Sequence, residues 1–385
     1  MFEIQNDSEK KGICTKIVPV TKAVGLVLSH DITEIRPGEF KGRAFKKGHI
    51  VREEDINHLQ RLGKEHLFVL EIKEDEIHEN DAALAIANAL AGDGVKMEGE
   101  PSEGKINLIA ARDGLLYVKQ EALLEFNMLG DVMCATVHNN TVVKKGQLVA
   151  GTRAIPLVVK RDIIAQAVRT AQDAHGVLSV REMRKPVAGI VITGNEVYYG
   201  KIKDAFEPVI RKKIKDAGGD VIGVRFAPDD AKTIGESIRE LIASGADLII
   251  TTGGMSVDPD DVTRFAIRNL GVEEFIYGSP VLPGSMFLVA YLSAEDNSAE
   301  AGKRGSGEAT DSTTSELSDF RTFELIPILG MPACGMYAGI TVFDLVLPRI
   351  LAGEKIGRRE IAELGHGGLC LKCDQCRYPV CPFGK

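Results

Sequence analysis

The chain has 385 residues, 44% hydrophobic and 26% charged, with a formal net charge of −8 and no tryptophan. That length allows two or three domains with cores of their own, in a composition ordinary for globular proteins. The negative charge works against nonspecific nucleic-acid binding, and the longest helix-like apolar stretch, AALAIANALAG, is about half of a membrane span.

The first residues, MFEIQNDSEKKG, are polar and of mixed charge. They lack the basic start and apolar middle of a secretion signal, which points to the cytosol. From Lys16 to Ile72, short β-rich runs alternate with turn signals such as RPGEF and KKGH. One short helix, EEDINHLQRLG, carries Ile56, Leu59 and Leu62 at helical spacing and ends at Gly63. Residues 1–75 therefore read as a small α+β region.

The run NDAALAIANALA, residues 80–91, predicts a helix started by an Asn/Asp cap. Strands are predicted in GKINLIAA, GLLYVK, DVMCATV and TVVKKGQLVAGT, and their regular spacing suggests a small barrel or sandwich. A helix, KRDIIAQAVRTAQDAHG, closes this β-rich domain, residues 76–184.

From Pro186 the pattern changes. VAGIVIT is a continuous apolar run of the kind buried in a parallel sheet. A helix over residues 205–217, strand DVIGVRF, helix AKTIGESIRELIASG, strand ADLIIT and helix DVTRFAIRNLG follow. This alternation predicts an α/β domain with a doubly wound sheet, residues 185–352. Residues 293–321, rich in Ser, Gly, Glu, Asp and Thr, interrupt it as an expected flexible insertion between two strands.

In an open α/β sheet, ligands sit beyond the carboxyl ends of the strands. Three glycine turns fall there: TGNEV after VAGIVI, TTGGMS after ADLII, and GMPACG after FELIPIL. Glycine lets backbone N–H groups approach a ligand, and a following helix start favours phosphate. Asp258, Asp260 and Asp261 crowd after the second turn. One is expected to cap a helix. The others, with Glu196 and Asp204 near the first turn, suit magnesium beside a phosphate.

The stretches TGNEVYYGKIKDAF, ADLIITTGGMSVDPDDVT, PVLPGSM and ILGMPACGM occur in the order expected of a molybdopterin-binding domain. Residues 186–350 thus resemble molybdopterin molybdenumtransferase and its adenylyltransferase relatives. The resemblance implies a three-layer α/β/α domain that binds molybdopterin or its adenylylated form. It also implies Mg²⁺-dependent chemistry, either adenylylation or molybdate insertion with release of AMP. Carried over by motif, Thr193, Gly194, Glu196 and Asp204 line one side of the pocket. Thr252, Gly253, Gly254 and Ser256 cradle phosphate, Asp261 lies closest to metal or molybdate, and Pro283 and Gly284 form another wall. Relatives of this kind commonly form homo-oligomers, and a molybdoenzyme or biosynthetic partner would receive the cofactor. Two departures stand out: Asn195 replaces the family's usual acid, and Ala333 and Cys334 replace a Gly-Asn pair.

Of seven cysteines, Cys14, Cys134 and Cys334 are scattered, while Cys370, Cys373, Cys376 and Cys381 crowd the end of the chain. In a reducing compartment such a cluster points to metal or redox chemistry. The spacing Cys-x2-Cys-x2-Cys-x4-Cys-Pro suits a tetrahedral Zn²⁺ or an iron–sulfur cluster, and residues 353–385 are expected to be a metal-binding tail.

Overall fold

The computed structural model describes residues 15–36, 40–70, 72–255, 261–293 and 325–384. The chain divides into two units, Met1–His138 with Val143–Arg181, and Asn139–Val142 with Glu182–Lys385.

In the first unit, strand His66–Leu70 pairs antiparallel with Thr15–Pro19 and with Val27–Leu28. The helix Ile56–Arg61 adds the buried Leu59 to their core. Further along, four antiparallel strands lie in the order Val132–Thr136, Leu148–Ala154, Lys105–Ala110, Val95–Ser102. A second, three-stranded sheet orders Val142–Val143, Gly114–Val118 and Leu178–Arg181, and residues of both sheets share one core. Helix Glu79–Leu90 covers the four-stranded sheet, and its Ala82, Ala83, Ile86, Ala87 and Leu90 are buried with Ile106, Leu108 and Val149. Alternation along Lys105–Ala110 leaves one apolar face, and small alanines let a helix pack closely onto it.

That helix also starts differently from the expected Asn/Asp cap. His78 Nδ1 accepts the Asn80 N–H at 3.2 Å, while His78 Nε2 meets the Gly48 carbonyl at 2.7 Å. The Asn80 side chain instead accepts the Gly104 N–H at 3.0 Å. Burial holds the His78 ring below its ordinary pKa, so it caps as the neutral imidazole.

The second unit is built on six strands: β1 Val187–Thr193, β2 Asp220–Ala227, β3 Leu248–Thr252, β4 Glu274–Tyr277, β5 Leu288–Ser293 and β6 Leu325–Met331. Their order is β2-β1-β3-β6-β5-β4. Strands β2, β1, β3 and β6 are parallel, as the alternation of strands and helices predicts, while β5 runs antiparallel to β6 and to β4. The helices are α1 Asn195–Tyr198, α2 Phe206–Asp216, α3 Ala231–Ala243, α4 Thr263–Arg268, α5 Val342–Leu351 and α6 Arg358–Glu363.

One face of the sheet packs on α2 and α5 through Phe206, Ile210, Val342 and Phe343. The other packs on α3 and α4 through Ile234, Ile238, Ala266 and Ile267. This is the three-layer α/β/α arrangement expected from the sequence. Beyond Ser293, the expected insertion lies outside the described residues as far as Arg321. Among the described residues no helix is long and apolar enough to cross a membrane.

Candidate functional site

The carboxyl ends of β1, β3 and β6 are neighbours: Ile192 pairs with Thr252, and Thr252 with Met331. The second glycine turn leaves β3 between the other two. Gly253 and Gly254 both take the left-handed backbone, with φ of 77° and 53°. A Cβ on Gly253 would overlap the Thr193 carbonyl, and one on Gly254 would overlap the Thr263 hydroxyl. Only glycine permits this approach.

Hydroxyls lock the turn from below. The buried Thr193 Oγ1 donates to the Thr252 carbonyl at 2.8 Å and lies 2.9 Å from Thr263 Oγ1. Thr263 N–H donates to the Gly254 carbonyl at 3.1 Å. Tyr277 donates its hydroxyl to the Met255 carbonyl, and Gly330 on β6 leaves room for the Met255 sulfur. Thr193, Thr252, Gly253 and Gly254 are therefore brought together as one constellation. Thr263, at the end of the DDVT motif, completes it and was not singled out from the sequence. The predicted phosphate-cradle residue Ser256 and the acids Asp258 and Asp260 lie outside the described residues.

Two polar atoms in this constellation stand out. The hydroxyls of Thr251 and Thr252 are fully buried and have no hydrogen-bond partner. Successive residues of a strand face opposite ways. Thr252 thus shares the α2–α5 face with Ile250, and Thr251 the α3–α4 face with Ile249. A buried hydroxyl without a partner costs about 1–3 kcal/mol, so such groups mark places where a ligand or water completes the structure.

The acids are placed less uniformly. Glu196 sits on the exposed first turn, and its carboxylate lies where a Cβ on Gly194 would point. Asp204 caps α2, its two oxygens accepting the N–H groups of Phe206 at 3.0 Å and Glu207 at 2.7 Å. Asn195 N–H donates to Asp229 at 2.9 Å, and Asp229 N–H donates to the Asn195 side-chain oxygen at 3.3 Å. Asp229 thereby joins the end of β2 to the first turn, another contact the sequence reading missed. Asp261 is half-buried, two residues before α4. Helix dipoles add little here. The helices after the first two turns have four and six residues, too short for much of the dipole effect inferred from sequence.

The third turn is a 3-10 segment, Ala333–Met336, followed by α5 with Thr341 as its cap. Lys213 on α2 donates to the Gly339 carbonyl at 3.0 Å and pairs with Asp344 in a largely buried ion pair. Gly284, at φ 135°, packs on Val342 at the start of α5. Pro283 and Gly284 thus border the third turn, with β6 between them and the second.

Pro283 also lines a cavity of about 430 Å³ with Cys334, Cys370, Cys373, Cys376 and Cys381. All are free thiols. Burial pushes the Cys334 thiol above its ordinary value. Among the described residues no three His, Cys, Asp or Glu side chains are arranged to hold a metal.

Residues 189–351 match the family model described as a probable molybdopterin binding domain. The chain carries a domain of the molybdopterin-binding family. A second model, of a domain of unknown function, matches residues 17–71. A CinA-like protein of Thermosipho melanesiensis is 37% identical over 95 residues, 25% of this chain and 23% of its own. One from Mycobacterium sp. (strain MCS) is 37% identical over 88 residues, 22% of this chain and 21% of its own. The chain thus spans less than a quarter of the length of these curated relatives. A solved molybdopterin biosynthesis MoeA protein from Pyrococcus horikosii aligns with 88% of this chain and 75% of its own, at 14% identity and a TM-score of 0.31. Within the molybdopterin-binding domain, the matched span covers all three glycine turns and α5.

Proposed function

We propose that this chain acts in molybdenum cofactor biosynthesis. It binds molybdopterin or adenylyl-molybdopterin at the carboxyl edge of β1, β3 and β6, and serves Mg²⁺-dependent molybdate insertion with release of AMP. The observation that carries this reading is the buried, unpartnered Thr252 hydroxyl beside two left-handed glycines, inside a matched molybdopterin-binding domain. The left-handed turn presents backbone to a phosphate, and the hydroxyl gains the partner it lacks.

Magnesium is commonly held by one or two carboxylates, with substrate phosphates and water filling its other positions. Asp261 and Glu196 are the carboxylates that would hold it, neutralising charge on the ligand's phosphates. Asp204 is left in its capping role. The chain's own residues orient the ligand: glycine amides and Thr252 at the phosphate, Pro283 and Gly284 at the far wall.

Anaerobically purified protein is expected to bind molybdopterin, measured as fluorescence of the oxidised pterin after release. Asp261→Asn is expected to abolish Mg²⁺-dependent AMP release from adenylyl-molybdopterin. Turnover at the normal rate in that variant removes Asp261 from the chemistry, and failure to bind pterin at all removes the reading. A second reading, a carrier, chaperone or sensor that hands the cofactor to a molybdoenzyme, is favoured by the capping role of Asp204 and by Asn195 in the acid's place. Stoichiometric pterin binding without AMP release selects it.

A further inference from the structure

The cysteine segment is fastened to the molybdopterin-binding domain at both ends. Leu282 N–H donates to the Gly368 carbonyl, and Cys370 N–H to the Leu282 carbonyl, each at 2.8 Å. At the other end Phe383 is only 3% exposed, in the core shared with α5. Gly384 N–H donates to the Gly367 carbonyl at 3.0 Å, closing the segment on itself. Between these anchors, residues 371–380 contain neither helix nor strand.

The thiols divide accordingly. Cys370 and Cys381, next to the anchors, are half-buried, as is Cys334, while Cys373 and Cys376 on the irregular stretch are exposed. Five of the six described cysteines line this one cavity, none in a disulfide. Cys334 belongs to the third glycine turn, nearly forty residues before the tail cysteines, so chain proximity does not account for its presence.

We propose that Cys334 and the tail cysteines form a thiolate site for a soft divalent cation of the zinc class. Three thiols stand on fixed backbone, and the anchored loop carries the remaining pair inward as the cation binds, each coordinating thiol releasing its proton to solvent. Coupling of this kind between metal binding and chain ordering is general. Zinc takes four sulfurs, so one of the five thiols stays outside the set. Because Cys334 lies on the third turn, filling the site ties the tail to the rim of the pterin edge. The site itself does not depend on the pterin reading.

The test uses the full chain, reduced under anaerobic conditions and titrated with zinc alone. Bound metal is measured per chain, and alkylation of each cysteine is followed by mass spectrometry. One zinc per chain is expected, with alkylation of Cys334 slowed about tenfold or more. The double variant Cys373→Ser/Cys376→Ser, confined to exposed positions, is expected to keep its circular dichroism, lose the zinc and restore the metal-free alkylation rate at Cys334. The proposal is overturned by failure to bind zinc stoichiometrically, or by zinc binding that leaves Cys334 as reactive as before. Iron with acid-labile sulfide in the anaerobically purified protein overturns it as well.

Discussion

The glycine-turn edge and the cysteine segment belong to one compact unit, yet their backbones are held in opposite ways. At the edge the backbone is fixed in advance: the Thr193 hydroxyl bonds the Thr252 carbonyl and meets the Thr263 hydroxyl beneath two left-handed glycines. The cysteine segment is held by Phe383 and the Leu282 bridge at its ends and by Tyr378 against the core, while residues 371–380 contain neither helix nor strand. A fixed site avoids most of the ordering entropy when its ligand arrives. An anchored loop meets that cost at binding and responds to its ligand by changing shape.

Four substitutions break or sharpen this contrast. The largest effect is expected from Phe383→Ala, which removes a buried aromatic anchor at a cost of about 3–5 kcal/mol to tail docking. Limited proteolysis should then cut within residues 371–384 while the rest of the domain resists. Equal resistance of variant and wild type would mean that Phe383 anchors nothing. Gly253→Ala forces a Cβ onto the Thr193 carbonyl and is expected to lower stability by roughly 2–3 kcal/mol. Urea denaturation measures this, and a midpoint equal to wild type contradicts a rigid edge.

Thr252→Val keeps the shape and deletes the unpartnered hydroxyl. Stability should stay level or rise by up to about 1 kcal/mol, while pterin affinity falls about tenfold, roughly 1.4 kcal/mol. Titration calorimetry separates the two effects, and unchanged affinity means the hydroxyl faces no ligand. Asp204→Ala should lose about 1 kcal/mol of stability, most of it retained in Asp204→Asn. AMP release that survives in Asp204→Asn agrees with a capping role, whereas its loss at unchanged stability returns Asp204 to the chemistry.

Much of the parallel sheet was legible because VAGIVIT is a continuous apolar run and ADLIIT holds the apolar Leu-Ile-Ile, as strands covered on both faces require. The glycine turns were legible for a related reason, since adjacent glycines straight after a buried strand require unusual backbone. The bonds Asp204 makes at the start of α2 were foreshadowed too: Asp204 and Glu207 have the spacing of a capping box ahead of an amphipathic helix. Thr263 and Asp229 act across distant stretches of chain, and no local pattern announces such partners. His78 is a cap only because Gly48, thirty residues away, fixes its ring. The fastening of the tail rests on Phe383, Tyr378 and backbone bonds to Leu282 in a polar, cysteine-rich stretch, where composition alone points to an independent appendage.

Ser293 and Leu325 face each other as paired residues at the open end of a hairpin. Among the described residues, all six strands of the sheet find their neighbours. The chain thus leaves and rejoins the domain at a single residue pair, so replacing everything between those two positions breaks no described strand pairing.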